Sequence, residues 1–173
     1  MKEERIKTAI IAVIIENESG ALARVVGLFS GRGYNIESLT VSEIDSAHHM
    51  SRITIVTSGT EMVIAQIKAQ LERLVPVHGV LDLSEPGPHV ERELALIKVV
   101  NRGDPRTEAM RIADAFHARI VDVSATSCVY EVTGSSDKVT AFIELLLPLG
   151  VIEVARTGIV AMTRGAQKSF QAD

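Results

Sequence analysis

Hydrophobic and polar positions alternate in blocks along the chain, and their spacing predicts a series of strands and helices. The stretch 8–15 is β-branched and nearly all apolar, which is typical of a central strand. After a polar stop, four apolar positions recur at helical spacing: Leu22, Val25, Val26 and Phe29. The same reasoning predicts strands over 36–44 and 50–57, a helix with apolar positions at 64–74, and a strand over 75–83. The order of the first half is therefore βαββαβ.

The second half of the chain repeats this order. Its predicted elements are a strand over 94–100, a helix from Pro105, strands over 119–123 and 128–132, a helix after Gly134, and a last strand over 151–161. Asp104 followed by Pro105 predicts the N-cap and first turn of the first of these helices. The two halves thus have one architecture, without a residue-level repeat between them.

A stretch rich in proline and glycine separates the two halves at 84–89. We therefore predict two domains, 1–84 and 85–173. Each is expected to be an α+β, ferredoxin-like βαββαβ domain, in which a four-stranded antiparallel sheet carries two helices on one face. The other face would be bare. Because an uncovered face that contains Ile and Val needs a partner, oligomerisation is expected.

Composition limits the classes of function. With 18 basic and 22 acidic side chains the formal net charge is −4, which argues against nucleic acid or an anionic membrane as the main partner. A single cysteine, Cys128, fits a reducing compartment. The longest apolar run, 9–15, is too short to span a bilayer, and no cleavage site for export follows the charged start. We expect a cytoplasmic protein that binds neither nucleic acid nor membranes.

Residues that could carry catalysis or hold a metal are scarce. Cys128 lies within an apolar strand pattern, where a buried and inert thiol is expected. His48 and His49 are adjacent, so in a strand they would point to opposite faces and could not chelate one ion together. The segment 31–33, Gly-Arg-Gly, follows a helix and does not open one, unlike a phosphate-binding loop. We therefore predict no catalytic residue, no metal site and no cofactor in this chain.

The turn 17–20, between the first strand and the first helix, is the strongest candidate for a binding site. Backbone N–H groups at a helix N-terminus are unpaired and suit a carboxylate. The Asn17 carboxamide supplies both a donor and an acceptor, and Asn35 could accept from an ammonium group, so the residues together could cradle a zwitterion. From spacing alone, the simpler alternative is that Asn17 and Ser19 cap the helix and Asn35 fills a turn. The backbone groups expected to contact the carboxylate are those of Gly20, Ala21 and Leu22.

At these residues the sequence resembles the small, regulatory subunit of acetolactate synthase (acetohydroxyacid synthase), whose N-terminal half is an ACT domain. The likeness covers nearly the whole chain. The motifs that carry it are NESGALARV at 17–25, GLFS at 27–30, RGYNIESLT at 32–40, HVEREL at 89–94, LIKV at 96–99, EVARTG at 153–158 and TRG at 163–165.

The resemblance implies a chain without an active site of its own, in the biosynthesis of valine, leucine and isoleucine. The family's large catalytic subunit binds thiamine diphosphate, magnesium and FAD, and it condenses pyruvate with pyruvate or with 2-oxobutyrate. The small subunit activates this reaction and confers feedback inhibition by valine or another branched-chain amino acid. In the family's ACT dimers, two sheets join edge to edge. The amino acid lies between the first turn of one protomer and the second strand of the other.

Carried onto this sequence, the resemblance gives six ligand-binding residues and favours the zwitterion cradle over helix capping. The tip over 42–49 departs from the family's usual wording, and the role of the C-terminal domain stays open. Two rivals remain: a free-standing ACT sensor of amino acids that regulates another enzyme or a transcription factor, and an enzyme of ferredoxin-like fold. The six ligand-binding residues are Asn17, Gly20, Ala21 and Leu22 from one chain, with Asn35 and Ile36 from its homodimer partner.

Overall fold

A computed structural model describes residues 5–85, 87–166 and 170, and it contains two α+β units. The predicted ferredoxin-like βαββαβ order is confirmed in both. The elements are β1 (Lys7–Glu16), α1 (Ala21–Arg32), β2 (Ser38–Asp45), β3 (Met50–Gly59), α2 (Glu61–Leu71), β4 (Val77–Asp82), β5 (His89–Val100), α3 (Asp104–Ala115), β6 (Arg119–Val123), β7 (Ser127–Gly134), α4 (Ser136–Leu146), a 3₁₀ turn (Leu147–Leu149), β8 (Val151–Arg156) and β9 (Val160–Thr163).

Contacts divide the chain differently from the predicted boundary at residue 84. Unit 1 contains the residues up to Val90 together with those from Ile159 onward, and unit 2 contains Glu91–Gly158. The second of these boundaries coincides with a break in the last predicted strand. The pattern over 151–161 suggested one strand, but the structure has β8 and β9 with Gly158 between them at a φ of 80°. The chain therefore turns back into unit 1.

Unit 1 is built on an antiparallel sheet of order β2-β3-β1-β4. Its central strand β1 is buried on both faces, as its continuous apolar run predicted. Both helices pack on one face, where alternate residues of β1 and β3 meet their apolar stripes. The buried residues of this core are Ala9, Ile11, Val13, Ile15, Ala21, Val25, Phe29, Ile53, Ile55, Ile64, Ile67 and Leu71.

The opposite face of this sheet is covered, so the expectation of a bare face is wrong for unit 1. The covering residues come from the end of β4 and from the last part of the chain, and Ala161 is only 6% exposed. Gly79 makes room for one of them, because a Cβ added there would lie 2.7 Å from Cδ1 of Phe170. This second cluster consists of Ile10, Ala12, Val56, Leu83 and Ala161, with Leu81, Ile159 and Phe170 packed against it.

Unit 2 has the same topology, with the order β6-β7-β5-β8. Helix α3 starts one residue earlier than predicted: Gly103 is its N-cap, and Asp104 belongs to its first turn. On β5, Leu96 is 38% exposed and Val100 is 44% exposed, whereas Ala95, Ile97 and Val99, which alternate with them, are buried. The buried core is Ala95, Ile97, Val99, Ala109, Ala113, Cys128, Tyr130, Val132, Val139, Phe142 and Leu146.

Among the described residues, no helix is both long enough and apolar enough to cross a membrane.

Candidate functional site

The turn 17–20 lies at the N-terminus of α1, as predicted. Gly20 is the N-cap residue, with φ 86° and ψ −6°, a left-handed conformation that glycine adopts without strain. The N–H of Ala21 donates to the carbonyl of Glu18 at 3.2 Å, so this amide is engaged within the turn. In the described part of the chain, the N–H groups of Gly20 and Leu22 have no backbone acceptor. Two of the three expected amides are thus open to an anion.

The capping alternative for Asn17 and Ser19 is wrong. Among the described residues no side chain caps α1, and the residue in the N-cap position is Gly20. The backbone N–H of Asn17 donates instead to the carbonyl of His49 at 2.6 Å. Within the described residues the Asn17 carboxamide makes no hydrogen bond, and the residue is exposed. Its polar groups therefore face solvent and are open to a ligand.

The contact with His49 ties the turn to the tip 45–49, which joins β2 to β3. His49 has a φ of 51°, and Asp45 accepts hydrogen bonds from the N–H groups of Ala47 and His48. The His48 ring also lies 2.8 Å from the Asp45 carboxylate, and this contact holds the pKa of Asp45 below its usual value. The tip is thus a compact turn that supports the first half of the candidate site. Sequence reasoning considered His49 only as a metal ligand and missed its backbone role.

Asn35 and Ile36 lie between α1 and β2. The helix ends at Gly33 with a φ of 69°, and the carbonyl of Asn35 then accepts from the buried hydroxyl of Thr57 at 2.6 Å. The Asn35 residue is exposed, and in the described part of the chain its carboxamide is unpaired. Ile36 is half-buried and packs against the core. The backbone is therefore fixed while the Asn35 side chain is available.

The two groups of candidate residues lie at opposite ends of the sheet. Thr57, which holds Asn35, is the register partner of Ala9, whereas the turn 17–20 follows Glu16. Seven residues along β1 correspond to about 23 Å. One amino acid cannot contact both groups within one chain, so the cradle derived from spacing alone does not form inside a single protomer.

The edge strand β2 carries exposed apolar side chains. Among the described residues it pairs only with β3. Val41 is 41% exposed and Ile44 is 54% exposed on this strand, and Leu22 and Val26 are similarly exposed on α1. An open edge flanked by apolar groups is a surface on which a further strand could pair.

Other parts of the described chain carry no comparable constellation. No group of three or more His, Cys, Asp and Glu side chains in them could hold a metal. Cys128 and Tyr130 are fully buried in unit 2, and burial raises the pKa of Tyr130 to about 12. A cleft of about 430 Å³ beside α2 contains the ion pairs Lys7–Glu61 and Lys68–Glu85. Both of its lysines are therefore already paired, and of its other charged residues only Glu72 has no ion pair among the described residues.

Comparison with known proteins gives matches in both halves of the chain. Residues 11–79 match the model of the AHAS small subunit-like ACT domain, and residues 92–165 match the small subunit of acetolactate synthase. The probable acetolactate synthase small subunit of Archaeoglobus fulgidus is 49% identical over 158 residues, which cover 91% of this chain and 98% of that protein.

The Escherichia coli acetolactate synthase isozyme 3 small subunit is 46% identical over 157 residues, covering 90% of this chain and 95% of that protein. The crystal structure of the acetolactate synthase small subunit from Thermotoga maritima superimposes with a TM-score of 0.85 at 39% identity. It covers 93% of this chain and 99% of that one. From the sequence motifs, the fold and these matches, this chain belongs to the acetolactate synthase small-subunit family.

Proposed function

We propose that this chain is the non-catalytic, regulatory subunit of acetolactate synthase. It activates the catalytic subunit and makes the enzyme sensitive to feedback inhibition by valine or another branched-chain amino acid. Membership of the small-subunit family supports the proposal that the partner is the catalytic subunit of acetolactate synthase. The observation that carries the amino-acid site is the separation of two open polar groups, the turn 17–20 and Asn35, at opposite ends of one sheet.

A two-fold dimer through β2 would bring these groups together. If β2 pairs antiparallel with β2 of a second copy, the start of one strand lies beside the end of the other. The end of β2 leads into the tip 45–49, which is hydrogen-bonded to Asn17. The start of β2 is preceded by Asn35 and Ile36. Each dimer would therefore contain two equivalent sites, each with one group from each protomer.

The chemistry of such a site fits an apolar α-amino acid. The carboxylate would bind the free N–H groups of Gly20 and Leu22, where the positive end of the α1 dipole adds to the attraction. The ammonium group would donate to the carboxamide oxygens of Asn17 and Asn35. The ligand side chain would lie against Leu22, Ile36 and the buried Ala21. A carboxylate on the ligand side chain would meet no cation in this set.

The regulatory chain itself would hold no cofactor. Thiamine diphosphate, magnesium and FAD would be held by the catalytic subunit, which performs the condensation of 2-oxo acids. The regulatory chain would act on that subunit by contact. A ligand changes activity only if its affinity differs between two arrangements of the regulatory dimer.

Titration and reconstitution with the catalytic subunit test the proposal. We expect calorimetry of the full chain to show saturable binding of valine, leucine or isoleucine, with serine as the non-branched control. We also expect the chain to raise the rate of acetolactate formation and to make it sensitive to the same amino acid. Binding without stimulation would identify a free-standing sensor instead. Turnover by the chain alone would show that it is an enzyme.

Replacing Asn35 by alanine should weaken valine binding. The ammonium group would lose an acceptor in a partly desolvated site, at a cost of about 1 to 3 kcal/mol, or about 5- to 150-fold in Kd. Because the backbone carbonyl holds residue 35 to Thr57, the fold should be unaffected. Calorimetric titration measures the change. Asn35→Asp, which keeps acceptor oxygens, is the matched control and should retain binding; equal affinity of Asn35→Ala and the unmodified chain would remove Asn35 from the site.

A further inference from the structure

Residues 159–163, here called the strap, lie on the sheet face of unit 1 opposite its helices. They include β9, and Ala161 is buried against the second apolar cluster of this unit. Gly158, directly before the strap, is the last residue of unit 2. The strap is therefore the segment through which the polypeptide passes from unit 2 back into unit 1.

Three side chains of unit 1 hold the strap through its backbone. The hydroxyl of Ser38 accepts from the N–H of Ile159 at 3.2 Å, and the hydroxyl of Thr40 donates to the carbonyl of Ile159 at 3.3 Å. Arg52 donates to the carbonyl of Ala161 at 2.6 Å. Ser38 and Thr40 belong to β2, and Arg52 belongs to the neighbouring β3. The strap is thus fastened mainly to the edge strand.

The same edge strand adjoins the proposed amino-acid site. Ile36 lies two residues before Ser38, and the N–H of Glu37 donates to the carbonyl of Val56 at 2.8 Å. Only Glu37, with this backbone hydrogen bond to β3, lies between Ile36 and Ser38. A shift of β2 toward a ligand would therefore change the distances from Ser38 and Thr40 to Ile159.

Thr157, two residues before Ile159, is held firmly in unit 2. Thr157 is joined to Leu94 of β5 by its N–H, which donates to the Leu94 carbonyl at 3.0 Å, and by its hydroxyl, which accepts from the Leu94 N–H at 3.1 Å. Only Gly158 lies between Thr157 and the strap. The covalent path from Ile159 to Thr157, and so to the sheet of unit 2, is therefore one residue long.

We propose that the strap couples occupancy of the amino-acid site to unit 2, with Ser38 and Thr40 as positioning residues. This inference rests on the proposed function. The amino acid shifts β2, the two hydroxyls transmit the shift to Ile159, and Thr157 passes it to β5. When two sites are coupled, occupancy of one changes the binding affinity of the other by a certain factor. The reverse effect has the same factor.

Hydrogen exchange of the full chain, with and without valine, tests the coupling. In the unmodified chain we expect valine to slow exchange by about fivefold or more, both at the amides of 17–22 and at those of the strap. In Ser38→Ala/Thr40→Val, valine should still protect 17–22 but no longer the strap. Ser42→Ala, on the same strand and exposed, is the matched control and should behave as the unmodified chain.

The two proposals fail in different ways in this experiment. Protection of 17–22 without protection of the strap in the unmodified chain would overturn the strap proposal alone. Absence of protection at 17–22 would remove the amino-acid site, and the strap proposal with it. Strap protection that persists in the double variant would exclude Ser38 and Thr40 as the link.

A second variant guards against a folding defect in the first. Gly79→Ala leaves β2 intact, but its added Cβ would displace Phe170, whose ring lies 5.8 Å from the Arg52 guanidinium. We expect it also to reduce valine protection of the strap. In the enzyme reconstituted with the catalytic subunit, both variants should keep stimulation and lose part of the inhibition by valine. Full inhibition with either variant would contradict the proposal.

Discussion

Replacing Arg156 by methionine should destabilise unit 2 by about 3 to 5 kcal/mol, because it leaves a buried carboxylate without its partner. Glu93 is only 4% exposed, and Arg156 donates to both of its carboxylate oxygens at 2.7 Å. The guanidinium also donates to Ser136 and Thr140 of α4, which ties the sheet to a helix. Removal of Arg156 alone therefore lowers the free energy of unfolding by more than the intact ion pair contributes to it.

The size of this effect can be measured by urea unfolding followed by tyrosine fluorescence. The chain has two tyrosines and no tryptophan, so in a Tyr34→Phe background Tyr130 reports on the core of unit 2. Lys98→Met is the matched control, since its exposed partner Glu153 lies on the same pair of strands at 2.5 Å. Lys98→Met should lower the free energy of unfolding by less than about 1 kcal/mol. Equal losses in the two variants would contradict the argument.

The Arg156 prediction has a definite pH dependence. The Arg156 guanidinium holds the pKa of Glu93 below its ordinary value of 4.5. The stability that the pair contributes is therefore present above that ordinary value and is lost as the pH falls through the lower value of the folded state. In Arg156→Met, protonation relieves the buried charge instead. The difference in unfolding free energy between the two proteins should shrink as the pH is lowered from 7 toward about 4.

Gly20→Asp should abolish the response to valine, with a loss of affinity of about 100-fold or more. The substitution places a carboxylate where the carboxylate of the ligand would bind, and unpaired like charges in a desolvated site are costly. Space is not the obstacle, because no atom in the part of the chain that the structure describes lies within 4 Å of a Cβ added at Gly20. Stimulation of the catalytic subunit should remain, which reconstitution with and without valine would measure.

Gly20→Asn separates charge from conformation in this experiment. Asparagine has nearly the same shape as aspartate and tolerates the left-handed backbone of residue 20. We expect it to retain a weakened response to valine, with the charged variant much worse. If both variants lose stimulation together with the response, the turn 17–20 belongs to the contact with the catalytic subunit, and the division of roles proposed here is wrong.

Most of the fold follows from the sequence, because regular spacing identifies buried faces. The run over 8–15 and the helical stripes predicted β1 and the helices to within a few residues. The break at Gly158 could not be predicted, since Ile159 and Ala161 continue the apolar pattern of β8. An alternating pattern of apolar and polar residues predicts which residues are buried, but it does not predict which sheet they pack against.

The candidate site shows a similar limit. Composition and spacing indicated the turn 17–20 and Asn35, and the structure leaves their side-chain amides open. Spacing could not show that β1 keeps them about 23 Å apart. It also gave no sign of the hydrogen bond from Asn17 to His49, because a backbone contact leaves no side-chain signature. The sequence showed Arg52 only as a charged residue within an alternating strand and did not predict its hydrogen bond to the carbonyl of Ala161.

The return of the chain into unit 1 fixes an order of events during synthesis. Ser38 and Ile159 are 121 residues apart, so the part of the covering layer that comes from Ile159, Ala161 and Phe170 leaves the ribosome after the whole of unit 2. Until then, Ile10 and Val56 have no covering layer from this segment. Contacts of such long range form late and slow the completion of a fold. The nascent chain therefore leaves part of this apolar face of its first-made half uncovered until residues 159–163 have been translated.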